Sequence, residues 1–236
     1  MDKAHILVVD DDKEIASAIE KLLLLEDYKV TKAYNGLEAM DLLVTEEIHL
    51  IVMDVMMPRM DGLSATMKIR EDKNIPIIIL SAKSQDSDKI IGLSMGADDY
   101  VTKPFNPQEL IARVKSQIRR YMLLGDMDNT RKETGLVVGS LCLEEDSREL
   151  LIDGEHVRLT PTEYGILQLL MNNPGVVFSA EQIYERVWGE AAYSVENTVM
   201  VHIRRIREKI EINPKEPKYL KVVWGIGYKI EKIQQK

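Results

Sequence analysis

Leu50-Ile51-Val52-Met53-Asp54-Val55-Met56-Met57-Pro58 is the stretch on which the reading of this 236-residue chain turns. Four consecutive apolar residues predict a strand buried on both faces. The lone carboxylate that follows, Asp54, falls at the strand's C-terminal end, where open parallel α/β sheets place their sites. Pro58 and Asp61-Gly62 then open a turn. A carboxylate placed there needs a partner, because burying an unpaired charge is costly. Taken alone, the segment fits a turn or helix-capping aspartate equally well; the flanking chain decides between them.

Outward from that strand, short apolar runs alternate with amphipathic patterns over the first 121 residues. Strands are predicted at Ile6–Val9, Lys29–Ala33, Leu50–Met53, Ile77–Leu80 and Tyr100–Thr102. Between them lie helical spacings such as Ile15, Ile19, Leu22 and Ile111, Val114, Ile118. The alternation predicts an α/β domain, one doubly wound five-stranded parallel sheet of flavodoxin-like order 2-1-3-4-5. In that order strand 1, ending in Asp10-Asp11-Asp12, neighbours strand 3, ending in Asp54. Asp12 itself reads as the N-cap of the helix that begins at Lys13.

Like charges this close do not all stay ionised without a cation. Oxygen donors with open positions suit Mg²⁺ better than a calcium cage. Strand 4 ends in the hydroxyl of Ser81, and strand 5 runs into Thr102-Lys103-Pro104. Each residue alone has an ordinary reading, Ser81 as a loop hydroxyl and Lys103 as a solvated cation. Together they describe a phosphoryl-transfer site, with Asp54 as nucleophile and Mg²⁺ and Lys103 neutralising the phosphoryl oxygens. Ser81 would donate to the attached group.

The formal charge of −8 hides an asymmetry. Residues 1–121 carry 16 Lys+Arg against 21 Asp+Glu, residues 122–196 carry 5 against 14, and residues 197–236 carry 10 against 4. A local basic face, not the total, is what binds phosphates. The polar, aperiodic Gly125–Gly135 reads as a linker, so the expected division is 1–121, a linker over 122–136, and a second domain over 137–236. In that second domain Ile152-Asp153-Gly154-Glu155 signals a hairpin. Thr160-Pro161-Thr162-Glu163 and Ser179-Ala180-Glu181-Gln182 are capping boxes that open two helices. A third helix runs from near Ser194 through Ile210, with Val199, Ile203, Ile206 and Ile210 as its core stripe. Its other face presents Thr198, Val201, His202 and Arg205, flanked by Arg204 and Arg207. A terminal hairpin turns at Trp224-Gly225-Ile226-Gly227. Three helices and a hairpin predict an α+β winged helix-turn-helix whose basic helix enters the major groove, with Arg205 best placed to reach a guanine edge.

Val8-Val9-Asp10-Asp11, Met53-Asp54-Val55-Met56-Met57-Pro58, Leu80-Ser81-Ala82 and Lys103-Pro104-Phe105 resemble the receiver domain of two-component response regulators. Leu159-Thr160-Pro161-Thr162-Glu163-Tyr164, Val201-His202-Ile203-Arg204-Arg205-Ile206-Arg207 and Gly225-Ile226-Gly227-Tyr228 resemble the effector domain of the OmpR/PhoB family. The resemblance implies Asp54 as phosphoacceptor, Asp11 and Asp54 as direct Mg²⁺ ligands, Asp10 as a ligand through water, and the Met56 carbonyl as the remaining protein ligand. It also implies a cis peptide before Pro104, Ser81 as switch hydroxyl, and Tyr100 as an aromatic that turns inward on phosphorylation. Lys89–Glu109, Asp99–Arg113 and Asp98–Arg120 would pair across a two-fold axis in a phosphorylation-strengthened homodimer. Its implied partners are a sensor histidine kinase and promoter DNA with paired half-sites, and it allows RNA polymerase as a further one. Trp224 stands in the wing where some relatives carry an arginine, and the Val-Trp-Gly wing is more similar to VanR-type regulators.

Two further expectations concern chemistry and compartment. An aspartyl-phosphate phosphatase wants a second acid two residues after the nucleophile, where this chain has Met56, so no turnover of an external substrate is expected. Met56 cannot orient a hydrolytic water, which predicts a phospho-form lasting many minutes. The apolar runs are far too short for a membrane span. The single Cys142 allows no intrachain disulfide, which suits the cytoplasm.

Overall fold

The computed structural model describes residues 3–83, 85–123, 135–144, 147–189 and 195–233. The chain divides into two compact units, Met1–Met122 and Leu123–Lys236. The expected linker over 122–136 lies almost wholly outside the described residues.

In the first unit the strands are β1 His5–Val9, β2 Lys29–Ala33, β3 Leu50–Asp54, β4 Ile77–Ser81 and β5 Asp99–Thr102. They alternate with α1 Lys13–Leu25, α2 Gly36–Thr45, α3 Gly62–Asp72, α4 Asp86–Ser94 and α5 Pro107–Leu123. The sheet is parallel, in the order β2-β1-β3-β4-β5. All five residues of β1, β3 and β4 are buried, as continuous apolar runs require when helices cover both faces. One core layer gathers Ile6, Val8, Leu50, Val52, Ile78 and Leu80, and the other Leu7, Val9, Ile51, Met53 and Ile77. Alternate residues of each strand thus serve opposite faces. Asp12 caps α1, accepting from the backbone N–H groups of Glu14 and Ile15.

The second unit opens with an antiparallel sheet of β6 Leu136–Val138, β7 Leu141–Leu143, β8 Leu150–Ile152 and β9 Glu155–Val157. Helices α6 Pro161–Met171, α7 Ala180–Trp188 and α8 Glu196–Ile210 follow, then the hairpin β10 Leu220–Val223 and β11 Gly227–Ile230. Both capping boxes form, at Thr160/Glu163 and Ser179/Gln182. Val199, Ile203, Ile206 and Ile210 are buried in one core with Leu167, Leu170 and Trp188. This is a winged helix. A two-way backbone bridge between Phe178 and Tyr228 ties β11 to the segment before α7. Gly227 makes that approach possible, since a Cβ there would lie 2.0 Å from the Phe178 carbonyl oxygen.

Candidate functional site

Asp10 directly follows β1, Asp54 closes β3, Ser81 closes β4, and Lys103 follows β5, so the parallel register brings all four to one sheet edge. Lys103 Nζ lies 2.6 Å from Asp10 Oδ2 and 2.6 Å from Asp54 Oδ1. The second Asp54 oxygen accepts a 2.8 Å hydrogen bond from the Met56 backbone N–H. Asp10 and Asp54 are buried, whereas Asp11 is exposed. The peptide bond before Pro104 is cis.

One carboxylate oxygen from each of Asp10, Asp11 and Asp54 lies within 4.8 Å of the others. Burial raises the pKa of Asp10 against the pull of Lys103, and the Asp54 charge adds to the rise. Burial works to lower that of Lys103, but the two carboxylates outweigh it and raise it. Three acids facing one ammonium leave a negative excess, and an all-oxygen donor set suits a hard divalent cation such as Mg²⁺.

Ser81 is fully buried, and its Oγ accepts from the Lys83 backbone N–H at 3.1 Å. Tyr100 is buried as well, and its hydroxyl donates to the Lys83 carbonyl at 2.9 Å. The aromatic thus already occupies an inward position. Burial raises its phenol pKa. Met56 is 62% exposed and projects from the turn beside Asp54.

Sequence reasoning missed Gly62, the first residue of α3. Its N–H donates to the Val55 carbonyl, and a Cβ there would lie 2.0 Å from the Asp54 carbonyl oxygen. The Asp61-Gly62 pair signals a turn, but not that the turn folds back onto the acid.

The charged residues of α4, β5 and α5 have partners within the chain. Asp98 is fully buried and held by Arg70 Nη2 at 2.6 Å, while its Oδ2 also accepts from the Ile77 N–H. Arg120, its expected partner across the two-fold axis, is half-buried on α5. Arg70 also donates to the carbonyls of Gly96, Lys73 and Ile75, pinning the end of α3 to the entry of β5. Asp99 is buried and paired in both oxygens with Arg113 of the same chain, and Glu109 joins that arginine at 2.9 Å. Lys89 lies 3.9 Å from Asp86.

The C-terminal candidates also divide. Arg204 is exposed and pairs with Glu208 at 2.9 Å. Thr198 and Arg207 are half-buried, and Arg207 Nε donates to the Leu220 carbonyl. Val201, His202 and Arg205, expected on the open face of α8, are buried instead. His202 packs against Trp188, ring centroids 5.6 Å apart, and Trp188 in turn stacks on Tyr184. Arg205 is drawn in by Glu163, a fully buried carboxylate 2.9 Å from its Nη2 and 2.6 Å from Lys209 Nζ. Arg205 and Lys209, one helical turn apart, hold the Glu163 pKa down although its burial pushes upward. The capping box was legible, but not the burial of its glutamate. Met200, Arg204 and Glu208 are the exposed residues described on α8, and they share with the wing the lining of a cavity of about 770 Å³. Trp224, at the hairpin turn, is 91% exposed and belongs to no core.

Residues 6–115 match the response regulator receiver domain family, and residues 154–230 match the family described as transcriptional regulatory protein, C terminal. The chain is similar to regulatory protein VanR of Enterococcus faecium, at 44% identity over 96% of this chain and 98% of that protein. It is similar also to the transcriptional regulatory protein YrkP of Bacillus subtilis (strain 168), at 43% identity over 95% of this chain and 97% of that one. A solved structure of a RitR mutant shares the fold, with a TM-score of 0.75 and 24% identity over 97% of this chain and 99% of its own.

Proposed function

The chain belongs to the OmpR/PhoB-type response regulators of two-component systems, which control transcription, and from that premise we propose that Asp54 is its phosphoacceptor. The observation that carries this reading is Lys103 Nζ set 2.6 Å from both Asp54 and Asp10 at the edge of the sheet. A sensor histidine kinase is the donor. An Asp54 oxygen attacks phosphorus as the P–N bond to the kinase histidine breaks, forming an acyl phosphate. Mg²⁺, when held by Asp10, Asp11, Asp54 and the Met56 carbonyl, would neutralise phosphoryl oxygens. Lys103 offsets the charge that develops beside Asp54, and the Ser81 hydroxyl turns from the Lys83 N–H to donate to the attached group. No external substrate is turned over.

The phosphoryl group adds charge at one end of a two-state element comprising Ser81, Lys83 and Tyr100. Self-association through α4, β5 and α5 is the proposed output, with Lys89, Glu109 and Arg113 at that surface. Because Asp99, Glu109 and Arg113 already pair within the chain, dimerisation exchanges partners more than it creates them, which favours a weak, regulated contact. Paired winged helices then occupy adjacent promoter half-sites, Arg204 facing the DNA and RNA polymerase recruited beside them. Among the described residues no helix is long and apolar enough to cross a membrane. The cytoplasm, where promoter DNA lies, is the proposed compartment.

Acetyl phosphate labelling, resolved on phosphate-affinity gels, tests the site. Wild-type chain should shift and Asp54→Asn should not. Equal labelling of both would reject Asp54. Selection from a random duplex library, with and without beryllofluoride and Mg²⁺, tests the output. The mimic should select two half-sites about one helical turn apart, and an unchanged single half-site would reject the coupling.

A further inference from the structure

We propose that Met56 is a redox modification site: oxidation of its thioether to the sulfoxide by a peroxide places a hydrogen-bond acceptor beside Asp54 and shortens the life of the phospho-form. The proposal rests on the reading that Asp54 is the phosphoacceptor. Met56 is 62% exposed, ahead of Met67 at 53%, Met200 at 42% and Met95 at 37%, whereas its neighbours Met53 and Met57 are buried. An oxidant in solvent therefore meets Met56 first among the described methionines.

Its place gives the change a consequence. Met56 follows Asp54 by two residues, and its backbone N–H donates to Asp54 Oδ2, so the turn is fastened to the carboxylate itself. The main chain around it is fixed as well. The Val55 N–H donates to the Leu80 carbonyl, and the Val55 carbonyl accepts from the Gly62 N–H. Oxidising a buried methionine puts a polar group into a core. At Met56 the new oxygen stays in water, so the side chain changes its chemistry while the turn keeps its shape.

The thioether is only a weak acceptor. In the oxidation an electron pair passes from sulfur to the peroxide, whose O–O bond breaks. One peroxide oxygen bonds to sulfur and the other leaves as water. The sulfoxide oxygen then accepts from a water O–H next to the acyl phosphate. Hydrolysis runs its ordinary course: the water oxygen bonds to phosphorus as the P–O bond to Asp54 breaks, releasing inorganic phosphate and the free carboxylate. Holding the attacking water removes part of the entropic cost of that step. Methionine sulfoxide reductases reverse the oxidation, so the device resets.

The test treats the full chain with hydrogen peroxide, desalts it and maps the oxidised methionines by peptide mass spectrometry. The chain is then labelled with acetyl phosphate and Mg²⁺, and after donor removal its decay is followed on phosphate-affinity gels. Met56 should gain oxygen before Met67, Met95 and Met200. The half-life should fall roughly tenfold and recover after treatment with the reductases. Met56→Leu, compared with itself before and after peroxide, should decay at one rate. A peroxide effect that survives in this variant belongs to another methionine and overturns the proposal. An oxidised Met56 with an unchanged half-life, an oxidised chain that alone fails to label, or a Met56 that oxidises after Met67 overturns it too and leaves the Asp54 reading intact. A chain that labels neither before nor after peroxide overturns both.

Discussion

Arg205 Nη2 lies 2.9 Å from Glu163 Oε1, and the two side chains are 10% and 0% exposed. Glu163 also accepts from the Thr160 N–H and from Lys209, so one carboxylate closes the start of α6 and holds two turns of α8. The packing angle of α8 is thereby tied to an ion pair, not only to apolar contact.

Glu163→Gln keeps an acceptor for Thr160 but removes the charge that two cations require. Breaking a buried pair from one side should lower unfolding stability by about 3 kcal/mol, measured by urea denaturation of the full chain. The pH sign follows from the lowered pKa of Glu163. Its contribution is present above the ordinary glutamate pKa of about 4.3 and is lost as pH falls through the folded value. Wild-type and variant should therefore converge in stability at acid pH. A gap that stays constant down to acid unfolding would count against the ion pair.

Lys103→Met leaves Asp10 and Asp54 without their shared cation. Phosphorylation by acetyl phosphate should slow by roughly 10²-fold, read on phosphate-affinity gels, with circular dichroism checking the fold. An unchanged rate would remove Lys103 from the transfer step.

Met56 is expected to set how long the phospho-form lasts. Its thioether, 62% exposed beside Asp54, offers nothing to align a water for attack on the acyl phosphate. The purified phospho-form should persist for many minutes. Met56→Asn should shorten that half-life roughly tenfold by orienting water. Decay of the wild-type within seconds would sink this account.

Gly62→Ala probes the turn that supports the phosphoacceptor. Its Cβ would meet the Asp54 carbonyl oxygen at 2.0 Å and the carbonyl carbon at 2.9 Å, and neither is a flexible side chain. Moving that strand end should cost about 1–3 kcal/mol of stability and slow acetyl phosphate labelling together. Wild-type values for both would show that the turn yields without disturbing Asp54.

The receiver was legible because its signals are local and repeated. Five apolar runs of the right length fix the strands, and parallel connectivity then brings Asp10, Asp54, Ser81 and Lys103 to one edge. Helix α8 was half legible. Its core stripe, Val199 to Ile210, follows from periodicity, but periodicity cannot say how wide the buried arc is. Trp188 and Glu163 claim His202 and Arg205 from elements 14 and 42 residues earlier in the sequence, and no spacing within α8 records that. The burial of Asp98 was hidden for the same reason, since Arg70 reaches it from α3. Charged residues on a helix or strand end declare their chemistry in sequence, but not their partner.

The hydroxyl of Tyr100 is anchored to the main-chain carbonyl of residue 83, not to a side chain. The identity of residue 83 can therefore drift without loosening the aromatic, while its side chain still faces Asp88 near the phosphoacceptor edge. The tether of Tyr100 thus runs through a main-chain atom of residue 83, and the side chain there is a separate variable. Selection can change the charge at that position without rewiring the readout.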